Sequence, residues 1–369
     1  VKNGIEMAQS LPKFCATIET FDNGHTSQQL NFTNGTVDLR TGILHPHNRS
    51  DFITKMCPSP YDPNAATPFW EETLAKIFNG DEEMLRYVQT MLGASMMGSQ
   101  DIRTLFIAYG RLGKNGKSTF FETLADVLGD YADHAELRML ASTDTGNLTE
   151  LTTRMRIRGA RLVFSSEMTS SDQVDANMIK RLTGGDTISA RSMFKATITF
   201  RPVCSIWLRT NALPVVRGAD RAFWDRICVI PFDHQFIGDE QLDMNVVMQR
   251  LKSESSGILA WLVRGAVMWN NRNGGFAIPK RVQELREMYM SDTDIFSDFV
   301  AEMLHPKPGA EVNVPNLHRA YVDFCKRRGT QVPMLSAFKQ DLRGAGLLSN
   351  DGKAVRGYST NGELGVFEL

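Results

Sequence analysis

The sequence is poor in cysteine: five in 369 residues (Cys15, Cys57, Cys204, Cys228, Cys325), widely spaced and with no C-x-x-C pair. That spacing excludes a disulfide framework and a cysteine zinc knuckle, and it fits a reducing compartment. The seven histidines do not build a metal site either, since His45 and His47 flank a proline with no carboxylate at ligand spacing beside them. No apolar run approaches the ~20 residues that a membrane span needs, and no signal peptide precedes the first strand. A dominant charge is also missing. With 41 basic and 42 acidic residues the formal net charge is −1, so any basic surface for a polyanion must be local. Internal repeats and low-complexity tracts are lacking. What is present is ordinary for a folded soluble protein: 42% hydrophobic and 22% charged residues, in a chain long enough for two or three domains. The first residue is Val1, and the chain is read as a fragment of a longer protein.

Four segments follow from the texture of the chain. Residues 1–98 are a mixed lead-in domain: "LNFTNGTVDLRTGILHPH" alternates short strands with Asn-Gly and Thr-Gly, a hairpin signature. Two helices are expected after it, in "FWEETLAKIF" and "DEEMLRYVQTMLGASMM", the second opened by an Asp-Glu-Glu cluster that suits a helix N-terminus. From 99 to 235 the apolar runs "TLFIAYG", "ARLVFSS", "VCSIWLRT" and "ICVIPF" read as buried strands of a mainly parallel sheet, an α/β core. Residues 236–290 hold an apolar helix, "SSGILAWLVRGAVMWNN", expected as a lid, and the linker "GGFAIP". Residues 291–369 suggest a small winged-helix unit, with a helix, a short strand, two helices and the strand pair "LLSNDGKAVRGYS" and "GELGVFEL".

The chemistry concentrates in "YGRLGKNGKSTFFETLADVLGDYA", starting at Tyr109. A nucleoside triphosphate needs inward-turned backbone N–H groups, a helix N-terminus and a counter-charge. Gly113, Lys114, Asn115, Gly116, Lys117, Ser118 and Thr119 form the candidate ATP-binding loop, between an apolar strand and an amphipathic helix. Gly113 and Gly116 permit close backbone approach, Lys117 sits on the β- and γ-phosphates, and the Ser118 hydroxyl on Mg²⁺. The loop is one residue longer than G-x-x-x-x-G-K-[ST], whose first glycine falls at Gly110.

Two further residues end apolar runs. Glu167, after "ARLVFSS", is placed to polarise the attacking water or to hold Mg²⁺; the alternative is an ordinary strand-end glutamate. Asn211, in "SIWLRTNALP", stands at the height of the γ-phosphate as a polar sensor, or else serves as a turn cap. Between these strands, "IKRLTGGDTISARSMFKATITFRP" suggests a hairpin carrying Arg191, Phe194 and Lys195. Cations beside an aromatic suit a nucleic-acid strand, and from Arg154 to Arg226 the chain has 13 basic residues against six acids.

The ordered series "GKNGKST", "LVFSSE", "KRLTGGDTISAR", "TNALP" and "FWDRI..IPF" resembles the superfamily 3 helicases of the phage and plasmid primase–helicase type, relatives of the poxvirus primase–helicase. The lead-in and the C-terminal unit resemble theirs too. The resemblance implies an AAA+ type P-loop ATPase with ATP and Mg²⁺, assembled as a homo-oligomer, usually a hexameric ring. Its hairpins hold single-stranded DNA at a forked duplex, in the cytoplasm of a bacterial host cell. It also implies a primase domain or partner, for which no separate carboxylate cluster is evident here. Lys117, Ser118, Glu167 and Asn211 match the nucleotide motifs, and Arg226 matches an arginine finger reaching the neighbour's γ-phosphate. Related proteins often carry two adjacent basic residues there; this chain has Asp225-Arg226, so Arg221 and Arg217 are rival fingers. The alternative to a motor is a nucleotide switch, in which the P-loop domain and winged helix act as a DNA-binding regulator.

Overall fold

The computed structural model describes residues 20–22, 28–98, 102–135, 148–165, 173–191, 197–217, 219–272, 276–293, 295–328, 332, 334–349 and 351–360. It divides into two compact units, Val1–Glu287 and Met288–Leu369.

The first unit opens with a three-stranded antiparallel sheet of β1 (Gln29–Phe32), β2 (Gly35–Asp38) and β3 (Ile43–His45), as the Asn-Gly and Thr-Gly turns predict. Helices α1 (Pro68–Ile77) and α2 (Glu82–Met96) follow. Asp81 caps α2 by accepting the Met84 N–H at 2.9 Å. The N-terminus of α1 is closed from far away: the Glu254 carboxylate accepts the Phe69 and Trp70 N–H groups, each at 2.9 Å. A carboxylate there satisfies two otherwise orphaned donors and opposes the positive end of the helix dipole.

The centre of the unit is a parallel sheet. Its elements run β4 (Leu105–Tyr109), α3 (Lys117–Leu128), β5 (Ala132–Ala135), α4 (Leu148–Arg156), β6 (Leu162–Ser165), β7 (Gln173–Asp175), α5 (Ala176–Gly184), β8 (Ile188–Ala190), β9 (Ile198–Phe200), β10 (Ser205–Thr210), β11 (Val215–Arg217), α6 (Arg221–Trp224) and β12 (Ile227–Pro231). Five of the strands lie side by side in the order β12-β4-β10-β6-β5. All four apolar runs noted in the sequence are strands of this sheet, and β5 at its edge joins them. Their near-continuous hydrophobicity has a simple cause: a parallel sheet is covered on both faces. Phe106 of β4 stacks on Trp207 of β10 with ring centroids 4.3 Å apart, and Phe120 and Phe121 of α3 close over the same layer. The shorter β7 and β11 pair in parallel beyond the C-terminal ends of β6 and β10, and β8 and β9 form an antiparallel hairpin.

Helices α7 (Met244–Ser253) and α8 (Ser255–Asn270) complete this unit, and α9 (Lys280–Thr293) begins in it. The apolar helix expected as a lid is a core element: Ile258, Leu259, Leu262 and Val263 of α8 are buried in the same cluster as Trp70, Leu92 and Phe120. The segments 1–98, 99–235 and 236–287 therefore share one core. An apolar stripe wide enough to bury a helix on most sides makes it an interior helix.

The second unit contains α10 (Ile295–Met303), β13 (Leu304–Asn313), α11 (Val314–Arg327), α12 (Leu335–Gly344) and β14 (Ala354–Thr360). β13 pairs antiparallel with β14, and Leu348 bridges Val355. Phe299, Tyr321, Phe324 and Phe338 form its own core. The expected short strand is ten residues long, and the segment expected as the last strand, "GELGVFEL", lies wholly outside the described residues.

Candidate active site

The register of the central strands builds the site. β4 and β10 pair with Tyr109 opposite Thr210, so the residues that follow, Gly110 and Asn211, leave the sheet side by side at its C-terminal edge. Gly110 N–H donates to Thr210 O at 3.2 Å and fixes that proximity. In open parallel sheets this edge is where ligands bind.

The loop from Gly110 to Gly116 then turns into α3, whose first residue is Lys117. Gly116 has φ +79°, a left-handed conformation that an L side chain resists. Gly110 has no room for a Cβ: one would lie 2.1 Å from Asn115 Nδ2 and 2.9 Å from Lys117 Nζ. A Cβ on Gly113 would meet nothing within 4 Å. Within the protein itself, then, it is Gly110 and not Gly113 that is crowded by its neighbours.

Lys117 is buried, and its Nζ donates to Gly110 O at 3.0 Å and to Asn211 Oδ1 at 2.6 Å. Lys117 and the sensor candidate Asn211, 94 positions apart in the chain, are therefore in direct contact. Asn115, also buried, turns its amide into the loop and donates to Gly110 O at 3.3 Å and to Leu112 O at 2.6 Å. Its side chain braces the loop, and the backbone is what it offers to a ligand. Ser118 and Thr119 are half-buried in the first turn of α3. Thr119 Oγ1 lies 3.5 Å from Met244 Sδ of α7.

A strap that sequence reasoning missed covers one flank of the loop. After β12 the chain donates Gln235 Nε2 to Gly113 O at 3.2 Å and Phe236 N–H to Lys114 O at 2.8 Å. Lys114 Nζ in turn donates to Gln241 Oε1 at 2.9 Å. No local motif marks this strap, because its partners are over a hundred positions away.

β6 ends at Ser165 on the same edge, and Ser165 Oγ accepts the Arg209 N–H at 3.1 Å. Glu167 lies outside the described residues, as do Phe194 and Lys195. Arg191 is described and exposed at the end of β8. Its N–H donates to Leu151 O of α4 at 3.1 Å, which ties the loop-side end of β8 to that helix.

Arg226 sits at the other end of the sheet. Its carbonyl accepts the Leu105 N–H at 2.7 Å, at the start of β4, whereas the loop begins after the end of β4. Its half-buried side chain donates Nη1 to Lys180 O at 2.6 Å and to Thr183 Oγ1 at 3.1 Å, tying α6 to the last turn of α5. Asp220 caps α6 by accepting the Phe223 N–H at 2.8 Å, and it accepts Lys180 Nζ at 2.8 Å; that ammonium holds the Asp220 carboxyl below its usual range. Arg221 is exposed and makes no ion pair among the described residues. Arg217 closes β11.

Among the described residues no group of three or more histidines, cysteines and carboxylates is gathered to hold a metal, and no helix is long and apolar enough to cross a membrane. The donor set at the candidate loop, one serine hydroxyl in the first turn of α3, fits an octahedral cation that takes its other ligands from phosphate and water.

Comparison with known proteins agrees with this layout. A "D5 N terminal like" family model matches residues 1–79, and the model of a family of unknown function (DUF5906) matches residues 108–226. "Putative helicase L207/L206" of Acanthamoeba polyphaga mimivirus is 26% identical over 74% of this chain and 30% of its own length. "Putative helicase 022R" of Frog virus 3 is 25% identical over 66% of this chain and 26% of its own. "Putative helicase 184R" of Invertebrate iridescent virus 6 is 27% identical over 80% and 34%. The chain thus spans about a third of the length of these relatives, which come from viruses of eukaryotes where the sequence suggests a phage or plasmid setting. In fold, the apo C-terminal region of NrS-1 matches with a TM-score of 0.50 at 12% identity, over 82% of this chain and 79% of that one. In motif order and in these relatives together, the chain resembles the D5-like superfamily 3 primase–helicases.

Proposed function

We propose that this chain is the ATP-hydrolysing motor portion of a DNA helicase. One observation carries the proposal: Lys117, Gly110 and Asn211 converge at the C-terminal edge of two adjacent parallel strands, behind a helix N-terminus. Such a convergence suits a phosphate ligand, and the chain's relatives are named putative helicases.

ATP is the substrate. The backbone of Gly113 to Gly116 and the N-terminus of α3 face its phosphates, and Lys117 exchanges its contact with Asn211 for the β- and γ-oxygens. Asn211, released from Lys117, orients the attacking water or the γ-phosphate, and Glu167 activates that water, helps to hold Mg²⁺, or does both. Mg²⁺, held through Ser118 and the nucleotide, supplies charge neutralisation on the phosphate oxygens. The order β12-β4-β10-β6-β5 supports the AAA+ part of the reading, because it sets the P-loop strand beside the strand that ends at Asn211.

The proposed working form is a homo-oligomeric ring, hexameric by family resemblance, moving on single-stranded DNA at a fork beside a primase domain or partner. Arg226 acts on the ATP of the adjacent subunit, with Arg221 and Arg217 as rivals. Arg191, Phe194 and Lys195 grip the strand. The second unit, with its order α10-β13-α11-α12-β14, supports a winged helix. Its ligand is DNA or a partner protein. The rival reading, a nucleotide switch that does not unwind, predicts slow ATPase indifferent to DNA. The deciding experiment measures ATPase and fork unwinding of the wild type and of Lys117→Ala. The motor reading expects DNA-stimulated hydrolysis and unwinding in the first, and neither in the second, with unchanged melting. More than about a tenth of wild-type ATPase left in Lys117→Ala, against the several kcal/mol that phosphate clamps supply, would sink the P-loop assignment.

A further inference from the structure

The phosphate loop carries one residue more than the usual pattern, ahead of Gly113. Gly110 O and Leu112 O both accept from Asn115 Nδ2, at 3.3 and 2.6 Å. Asn115 is itself only 4% exposed, and Gly110 O is held a second time by Lys117 Nζ at 3.0 Å. A peptide tied inward on both sides turns its middle residue outward. That residue is Arg111, which is exposed and has no hydrogen-bond or ion-pair partner among the described residues. Lys114, the other flanking cation of the loop, is differently employed: its Nζ donates to Gln241 and its carbonyl accepts from Phe236.

We propose that Arg111 is a second cationic contact for the terminal phosphate of a nucleoside triphosphate bound in its own subunit, positioned by Asn115. The inference rests on the phosphate-loop reading above. Three physical points support it. The backbone on either side is fixed before ligand arrives, so ordering the arginine costs only its own rotamers. A guanidinium presents a planar fork that engages two phosphate oxygens at once, which an ammonium does not. Finally, Lys117 Nζ is anchored on Gly110 O at 3.0 Å, so Arg111 leaves the chain one residue from the anchor of the loop's buried cation.

A terminal-phosphate contact must distinguish tri- from diphosphate, and that sets the test. Titration calorimetry on the full chain, with Mg²⁺, compares a non-hydrolysable ATP analogue with ADP. Arg111→Ala is expected to weaken the analogue about tenfold and ADP less than about twofold, the scale of one charge-assisted hydrogen bond. Arg111→Lys falls between, keeping the charge but not the fork. Asn115→Ala reproduces the loss of preference for the analogue although Arg111 is intact, and thermal melting of each variant checks that the fold survives. If Arg111→Ala binds both ligands like wild type, or weakens both equally, the proposal is overturned. Lys117→Ala, run in parallel, separates the two levels. Wild type that binds neither nucleotide defeats the phosphate-loop reading itself, whereas binding that depends on Lys117 and not on Arg111 defeats only this inference.

Discussion

Replacing Arg226 by alanine separates two roles that its position makes compatible. Leu105 to Gly110 spans five residues, so Arg226, bonded to Leu105, lies roughly 17 Å along the sheet from its own phosphate loop at ~3.3 Å per residue. No side chain closes that gap, so a direct contact of Arg226 with ATP would, in the proposed ring, be with the ATP of another subunit. Within its own subunit the residue makes two hydrogen bonds, to Lys180 O and Thr183 Oγ1. Hydrogen bonds from a charged donor are worth about 1.5–3 kcal/mol, and half-burial places this pair toward the lower end. At ~2–4 °C per kcal/mol for domains of about 150–250 residues, Arg226→Ala should lower Tm by roughly 3–8 °C. Turnover should fall by ~10³ or more if Arg226 is the finger, with ATP binding nearly normal. The assay mixes Arg226→Ala with Lys117→Ala, each inactive alone: rings that combine an intact finger from one subunit with an intact loop from the next recover part of the activity. Two results refute the reasoning. Recovery absent despite demonstrated co-assembly moves the finger to Arg221 or Arg217, and an unchanged Tm contradicts the tie to α5.

Lys195→Ala should retain basal ATPase while losing DNA stimulation and fork unwinding. The log–log salt slope of single-strand binding should flatten by roughly 0.7 per lost phosphate contact; unwinding at the wild-type rate rules the hairpin out as the grip. Asp220→Ala removes the cap of α6 and the Lys180 partner, and should cost about 1 kcal/mol at neutral pH. Because Lys180 lowers the folded-state pKa of Asp220, its stabilisation is complete above the ordinary aspartate range and lost as pH falls through the lowered value. The Tm difference between wild type and Asp220→Ala should therefore shrink on acidification, and a difference that grows in acid contradicts the link.

What the sequence by itself determined is local. The run Gly116-Lys117-Ser118 between an apolar strand and an amphipathic helix is complete within about twenty residues, so the strand–loop–helix order was legible without any partner. The same holds for β4, β6, β10 and β12, whose burial on both faces leaves unbroken apolar runs, and for α2, opened by Asp81. Tertiary structure alone decided the pairings across long separations. The apolar face of α8 says that it must be covered, but only packing against α2 and α3 makes it a core helix rather than a lid. Glu254 capping α1, the 232–244 strap on the phosphate loop and the Arg226 contact to α5 leave no periodic trace, since one polar atom meeting another requires no pattern in either segment. The division between Gly110 and Gly113 belongs to the same class. Both glycines are equal as letters, and only the Phe232 carbonyl, the Asn115 amide and the Lys117 ammonium crowding Gly110 show that a side chain has no room there.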